Sequence, residues 1–197
     1  MIDTYLRTPF ENIFITPLVR KILLTKIHPN TLTTLALISG ISIIPCLAYN
    51  QLPLTLLLLL FSGYLDVLDG ALARAQKRAS PRGAVYDIVS DRVVEFSIIF
   101  GLYLVEPISR GTPCILMLGS ILLCVTSFLV VGIFIENAGH KSFHYSPGIM
   151  ERSEAFIFFG LMIIFPSLFA ILSAFFSILV AATGLYRIIN FIRHFPN

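Results

Sequence analysis

Hydrophobic and polar residues are separated into long blocks along this chain, with no alternation of the kind that predicts strands. Uncharged stretches cover residues 29–65, 111–135 and 155–186. Because a helix needs about 20 apolar residues to cross a bilayer, each stretch predicts membrane-spanning helix. The first and third stretches are too long for one crossing, and each contains a turn signal, YNQLP at 49–53 and FPS at 165–167.

These blocks predict an all-α integral membrane protein with six transmembrane helices, forming a single domain over residues 1–197 with a core at 29–195. The helices are predicted at about 30–48, 53–77, from the sequence SPRG to 104, 112–135, and on either side of the break at 165–167. Composition agrees, since 13% of residues are charged and soluble proteins have about 25%. Residues 1–28 mix apolar and charged positions at helical spacing, which predicts an amphipathic segment on the membrane surface.

The basic residues predict the orientation of these helices. With the N-terminus inside, thirteen of the 14 Lys and Arg residues fall on inner loops and ends, and only Arg110 falls outside. This bias is typical of cytoplasmic loops, so both termini are expected in the cytoplasm. It also accounts for the net charge of +3 without a nucleic-acid partner. The expected location is a bacterial inner membrane.

Four aspartates stand out in helices that are otherwise weakly charged. Asp66 and Asp69 lie on the second predicted helix, and Asp87 and Asp91 lie on the third. Spacings of three and four place each pair on one helical face, and the short connection makes the two helices antiparallel neighbours. Converging carboxylates must be protonated or share cations. Oxygen ligands suit Mg²⁺ or Mn²⁺, and four carboxylates suggest two ions.

Small and basic residues around the aspartates favour ligand binding over a structural role. Ion pairs of the carboxylates with Arg74 or Arg92 are the structural alternative, but they would not explain Gly70, Ala73 and Gly83. Small residues permit close helix packing or the approach of a ligand to the backbone. An arginine can bind a phosphate oxygen through two N–H groups. The set therefore indicates chemistry on a diphosphate at the depth of the lipid headgroups.

The spacing of these residues resembles a known signature. Residues 66–91 read D-x-x-D-G-x-x-A-R, eight residues, G, three residues, D, three residues, D. This is similar to the CDP-alcohol phosphotransferase family at every fixed position, and HPNTLT at 28–33 resembles the P-N-x-x-T stretch that often opens the family's first helix. The resemblance implies transfer of a phosphatidyl group from CDP-diacylglycerol or a similar CDP-alcohol to a hydroxyl acceptor, with release of CMP.

The resemblance also implies roles for individual residues. The metal ligands would be Asp66, Asp69 and Asp87, with Asp91 close to the second ion. Asp91 would also be the general base that takes the proton of the acceptor hydroxyl. The CDP group would be bound by Asp66, Gly70, Ala73, Arg74, Gly83, Asn30 and Thr33. The family further implies a homodimer, buried along the third and fourth predicted helices.

The acceptor is less clearly indicated. The segment after the fourth predicted helix contains Lys141, Arg152 and Glu154, and the pattern G-x-x-x-R-x-E at 148–154 resembles the inositol-using branch of the family. Inositol or inositol phosphate is therefore the expected acceptor, bound by these three residues. A solvated loop with a helix cap is the alternative for the same residues. Glycerol 3-phosphate, serine and choline are alternative acceptors.

Two other functional classes use clustered acids in membranes. Membrane prenyltransferases bind Mg²⁺ and a lipid diphosphate with two aspartate-rich motifs, but those motifs lie far apart in sequence. A cation transporter would carry acids through the full membrane depth, whereas the outer half here has only Glu106. Consumption of an isoprenyl diphosphate, or ion flux, would distinguish these classes.

Overall fold

The computed structural model describes residues 11–23, 27–134, 148 and 150–194, and all regular structure within these ranges is helical. A π-helical turn, Glu11–Ile15, leads into the first α-helix. The α-helices are α1 (Thr16–Leu23), α2 (Pro29–Ala48), α3 (Leu52–Ala75), α4 (Pro81–Val105), α5 (Pro107–Phe134), α6 (Arg152–Ile164) and α7 (Phe169–His194). A 3₁₀ turn, Pro166–Leu168, separates α6 from α7. The predicted all-α class is confirmed.

Four helical stretches in the described ranges are long and apolar enough to cross a membrane. They are α2, α3, α5 and the stretch Pro166–Arg193 that contains α7. The chain is therefore an integral membrane protein. The other two predicted crossings are less simple, because α4 contains charged residues between Arg82 and Glu95 and α6 has only 13 residues. At about 1.5 Å per residue, α6 is shorter than a bilayer core, and the six-span arrangement stays a prediction.

A tight turn at the predicted YNQLP sequence separates α2 from α3. Asn50 has a φ of 55°, and the Gln51 N–H donates to the Cys46 carbonyl over 2.8 Å. This is the helix-ending pattern in which a left-handed residue satisfies the last carbonyls. Asn tolerates that conformation better than most residues, and the predicted turn is confirmed.

The link between α3 and α4 is equally compact. Lys77 has a φ of 54°, and the Arg78 N–H donates to the Ala73 carbonyl over 2.9 Å. Two residues later Ser80 caps α4, its Oγ accepting the Gly83 N–H over 3.2 Å. Because Ser is a good cap and proline suits the first helical position, α4 begins at Pro81, inside the SPRG sequence.

The described residues form two compact units, one within 2–108 and one within 109–197, and the single-domain organisation stays a prediction. In the first unit α2 packs along both α3 and α4. The N-terminal segment buries Ile15 and Val19 in a cluster that includes Leu65, Leu68 and Leu72 of α3. These leucines alternate with the aspartates of α3, so this packing fixes the rotation of the helix that carries them.

Two glycines bring α2 and α4 close together along their length, Gly40 in the middle of α2 and Gly101 near the end of α4. A Cβ on Gly40 would lie 2.6 Å from Val94 Cγ2, and a Cβ on Gly101 would lie 2.8 Å from Leu47 Cδ1. A larger residue at either position would therefore require the neighbouring side chain or the helix to shift. Small residues at crossings of membrane helices serve this purpose.

The second unit contains a buried cation between α5 and α7. Arg110, the one basic residue that the orientation argument placed outside, is 5% exposed. Its guanidinium lies 4.5 Å from the ring centre of Phe169. The aromatic face offers a favourable electrostatic contact to this charge.

Candidate metal and nucleotide site

Three of the four motif aspartates meet between α3 and α4. One carboxylate oxygen from each of Asp66, Asp69 and Asp87 lies within 4.8 Å of the others. Asp69 is 5% exposed, and the other two are half-buried. Ionised carboxylates this close repel one another unless a cation lies between them. Since hard divalent cations prefer oxygen ligands, the cluster can hold divalent metal ions such as Mg²⁺ or Mn²⁺.

Asp91 lies one helical turn beyond Asp87 and outside this group of three. One of its oxygens is 4.0 Å from Arg92 Nη2, and Arg92 Nη1 is 2.7 Å from Glu95 Oε2. Glu95 is 5% exposed. Arg92 therefore does form a structural ion pair, as the alternative interpretation proposed. Its closer partner is Glu95 rather than one of the four aspartates. Sequence reasoning did not single out Glu95, although its spacing of four from Asp91 was a usable signal.

The start of α2 is hydrogen-bonded to both helices that carry the aspartates. The buried Thr33 hydroxyl donates to Asp69 Oδ2 on α3. The Thr34 hydroxyl donates to the Asn30 carbonyl over 2.8 Å, and it lies 2.9 Å from the Tyr86 hydroxyl on α4. Since the single Thr34 proton is used on the carbonyl, Tyr86 is the donor in the second bond. The HPNTLT sequence thus lies at the carboxylate cluster.

The glycines of the motif have room around them. A Cβ on Gly83 would meet Ser80 Oγ at 3.4 Å and Asn30 Oδ1 at 3.7 Å, which are ordinary contacts. A Cβ on Gly70 would meet only Arg74 Nη1, at 3.4 Å. Packing within the described chain does not require glycine at either position. The same contact shows that the Arg74 guanidinium folds back one helical turn to Gly70, the residue after Asp69.

The predicted acceptor residues divide between described and undescribed parts of the chain. Glu154 Oε2 accepts the Glu151 N–H over 3.2 Å and lies 3.0 Å from the Ser153 hydroxyl. This capping box begins α6, so the helix-cap alternative describes what the Glu154 carboxylate does here. The Arg152 guanidinium lies 5.4 Å from the ring centre of Phe156. Lys141 lies outside the described residues.

A buried arginine on α7 accompanies this segment. Arg187 is 8% exposed, with Nη1 3.3 Å from Cys124 Sγ. A Cβ on Gly148 would lie 3.2 Å from Arg187 Nη2 and 2.3 Å from Thr183 Cγ2, and the Met150 N–H donates to Thr183 Oγ1 over 2.9 Å. Glycine at 148 therefore lets the backbone at Gly148 lie against Thr183 and Arg187 of α7. In the sequence, Arg187 was used only as one of the basic residues that predict the orientation of the helices. A single arginine near the end of an apolar run has no spacing to other residues that would indicate a site.

Comparison with known proteins agrees with the motif and its geometry. The family model for CDP-alcohol phosphatidyltransferase matches residues 26–189. The chain belongs to this family. The resemblance inferred from residues 66–91 is confirmed, and the prenyltransferase and transporter interpretations are set aside. As a CDP-alcohol phosphatidyltransferase, the protein is a metal-dependent enzyme of phospholipid synthesis that transfers a substituted phosphate group from a CDP-alcohol to a hydroxyl acceptor.

Two relatives illustrate the spread of this family. The inner membrane protein YnjF of Escherichia coli K12 is 31% identical over 169 residues, which cover 82% of each chain. An archaetidylinositol phosphate synthase of Pyrococcus horikoshii is 32% identical over 132 residues, 66% of each chain. The chain also matches bifunctional IPC transferase and DIPP synthases, of whose length it spans only 27% to 28%.

A solved structure shares the fold. The phosphatidylinositol phosphate synthase PgsA1 of Mycobacterium tuberculosis, crystallised with manganese and citrate, superimposes with a TM-score of 0.76. The alignment covers 93% of this chain and 91% of PgsA1 at 18% identity. At this identity the likeness supports the helical architecture of the CDP-alcohol phosphatidyltransferases, independently of the motif.

Proposed function

We propose that this enzyme transfers the phosphatidyl group of CDP-diacylglycerol to a hydroxyl of inositol or inositol phosphate, at a site that faces the cytoplasm. The observation that carries the proposal is the convergence of Asp66, Asp69 and Asp87 within 4.8 Å. Arg74 lies on the helix of Asp66 and Asp69, and its guanidinium folds back to Gly70, next to Asp69. Together they provide ligands for cations and a cation for a phosphate, as a diphosphate substrate requires.

The reaction assigns a separate task to the fourth aspartate. Asp66, Asp69 and Asp87 would hold two Mg²⁺ or Mn²⁺ ions, with Asp91 close to the second. When bound, such ions neutralise charge on the diphosphate. Asp91 takes the proton from the acceptor hydroxyl, whose oxygen bonds to the phosphorus that bears the diacylglycerol. The phosphoanhydride bond breaks, and CMP leaves.

The CDP group is bound along the small residues of the motif. Gly70, Ala73 and Gly83 offer backbone surface to the nucleotide, and the first and last of these have room for it. Arg74 binds a phosphate oxygen. Asn30 is exposed, with its Oδ1 close to Gly83, where it can hydrogen-bond to the nucleotide.

The bilayer holds the rest of the substrate. The acyl chains remain in lipid beside apolar side chains such as Val85, Val89 and Phe96, which α4 exposes. We further propose six membrane crossings, an N-terminal segment on the membrane surface and cytoplasmic termini. Ile13 and Phe14, both exposed, suit insertion into the interface. A homodimer along α4 and α5 in a bacterial inner membrane completes the arrangement.

The names of two similar proteins favour inositol or inositol phosphate as the acceptor. One relative is named an archaetidylinositol phosphate synthase, and the solved neighbour is named a phosphatidylinositol phosphate synthase. Lys141, Arg152 and Glu154 were expected to contact the acceptor, and Arg187 adds a buried positive charge beside Gly148. A phosphate-bearing acceptor would benefit from these cations.

Release of CMP by the purified protein in detergent micelles tests this proposal. CDP-diacylglycerol and Mn²⁺ or Mg²⁺ are supplied with inositol, inositol phosphate, glycerol 3-phosphate, serine or choline in separate reactions, and Asp91→Asn serves as the inactive control. We expect release with inositol or inositol phosphate alone. Release with another alcohol would overturn the acceptor assignment, and release with none from folded, metal-loaded protein would contradict the donor as well.

A further inference from the structure

We infer that Thr33 is a positioning residue that orients the Asp69 carboxylate for metal binding, an inference that rests on the proposed function. Thr33 lies in the first turns of α2, and its hydroxyl donates to Asp69 Oδ2 on α3. Both residues are 5% exposed. The resemblance to the P-N-x-x-T stretch had assigned Thr33 to the nucleotide. The contact instead joins it to one of the three clustered carboxylates.

The hydroxyl of Thr33 has one proton to donate, and its geometry favours Asp69. Among the described residues, a second acceptor is the Pro29 carbonyl, which lies 3.5 Å away, at the outer limit of a hydrogen bond. A threonine with its proton on a carboxylate and almost no exposed surface is poorly placed to contact a nucleotide. Asn30, one turn earlier and exposed, is better placed. The two polar residues of the stretch therefore have different tasks.

Asp69 is the carboxylate that most needs a protein donor. Asp66 and Asp87 are half-buried and can be solvated in part, whereas Asp69 is not. A buried carboxylate without a donor is free to turn away from the cation or to bind a proton. A hydrogen bond to one oxygen fixes the plane of the group. Partners of this kind, one shell out from the metal, typically change metal affinity about 10–100-fold when removed.

The affinity for Mn²⁺ distinguishes a role of Thr33 in orienting Asp69 from a direct contact of Thr33 with the nucleotide. Thr33→Val keeps the shape of the side chain and removes the donor, and Thr33→Ser keeps the donor. In detergent-purified protein, titrated with Mn²⁺ while the EPR signal of free Mn²⁺ is followed, we expect T33V to bind Mn²⁺ about 10–100-fold more weakly than wild type. T33S should bind within a few-fold of wild type, and Asp69→Asn provides the reference for a lost ligand.

The companion measurement is the KM for CDP-diacylglycerol at saturating Mn²⁺. T33V should keep a KM near that of wild type, and Asn30→Ala should raise the KM without changing Mn²⁺ affinity. Wild-type Mn²⁺ affinity in T33V together with a raised KM would overturn the inference in favour of the nucleotide contact. If T33V does not fold, Thr33→Ala is judged by the same two readouts. Mn²⁺ binding can be measured without turnover. An inactive wild-type protein would therefore contradict the proposed function, while the Mn²⁺ affinities of T33V and wild type could still be compared.

Discussion

Glycine serves opposite purposes in two regions of the α2–α3–α4 unit, the contact between α2 and α4 and the aspartate motif. Along the contact between α2 and α4, a Cβ on Gly40 or Gly101 would lie within 3.0 Å of a neighbouring side chain. In the aspartate motif, a Cβ on Gly70 or Gly83 would meet nothing closer than 3.4 Å. The first pair lets helices touch. The second pair leaves space that the described residues do not fill, as a substrate site requires.

Two acidic residues one turn apart on α4, Asp91 and Glu95, also differ in their surroundings. Glu95 is buried and 2.7 Å from the Arg92 guanidinium, so its charge is compensated inside the protein. Asp91 is more exposed and lies 4.0 Å from the same arginine. On one helix, the carboxylate that pairs with Arg92 and the carboxylate proposed as the general base are therefore one turn apart. Environment, rather than residue type, determines which use applies.

Among the substitutions that test this comparison, Asp91→Asn is expected to have the largest effect. If Asp91 is the general base, its loss lowers kcat for CMP release by about 100–10,000-fold, while the thermal midpoint in detergent stays close to that of wild type. Glu95→Leu is the matched variant on the same helix, and it should lower the thermal midpoint because Arg92 loses its partner. An Asp91→Asn protein that melts as early as the Glu95 variant would assign Asp91 to structure.

Gly83→Ala tests the open space at the aspartate end. The new methyl group meets only ordinary contacts within the protein, so the thermal midpoint should not fall. It occupies the surface proposed for the nucleotide, where a displacement of about 1 Å can reduce the rate about 100-fold. Turnover at low CDP-diacylglycerol and the KM for that substrate measure the effect. Unchanged kinetics would mean that no ligand approaches Gly83.

Gly40→Ala is the counterpart at the contact between α2 and α4. Its Cβ would lie 2.6 Å and 2.8 Å from the two methyl carbons of Val94, a stiff side chain that is 2% exposed. Overpacking of this kind typically costs about 1–3 kcal/mol. We expect a lower thermal midpoint with unchanged KM for CDP-diacylglycerol in the folded fraction. Adding Val94→Ala should recover part of the loss, and no recovery would show that the contact is not the cause.

The sequence predicted the local features of this molecule better than its long-range contacts. The turn at Asn50, the start of α4 near Pro81 and the pairing of aspartates by helical spacing follow from residues within a few positions of one another. The bond from Thr33 to Asp69 joins residues 36 positions apart. The contact of Gly40 with Val94 spans a still longer separation. No periodicity encodes such contacts, because they depend on how α2 packs between its neighbours.

The acceptor segment shows a second limit. The pattern ending at Glu154 was read both as a substrate contact and as a helix cap, and the same carboxylate chemistry suits either. Only the position of the Glu151 N–H, 3.2 Å away, identifies the cap. Arg187 was not recognised because its proximity to Gly148 depends on the packing of α7.

Lys77→Gly is expected to produce the smallest effect. It compares the two residues with positive φ that follow α2 and α3, Asn50 and Lys77. Their φ values are 55° and 54°. Lysine pays the steric penalty of the left-handed region, whereas glycine does not, so Lys77→Gly should stabilise the protein by about 0.5–1 kcal/mol. Asn50→Gly should gain less, since asparagine already tolerates this conformation. Thermal unfolding of both variants in the same detergent decides the point. Equal gains would mean that the Lys77 side chain is not strained relative to Asn50.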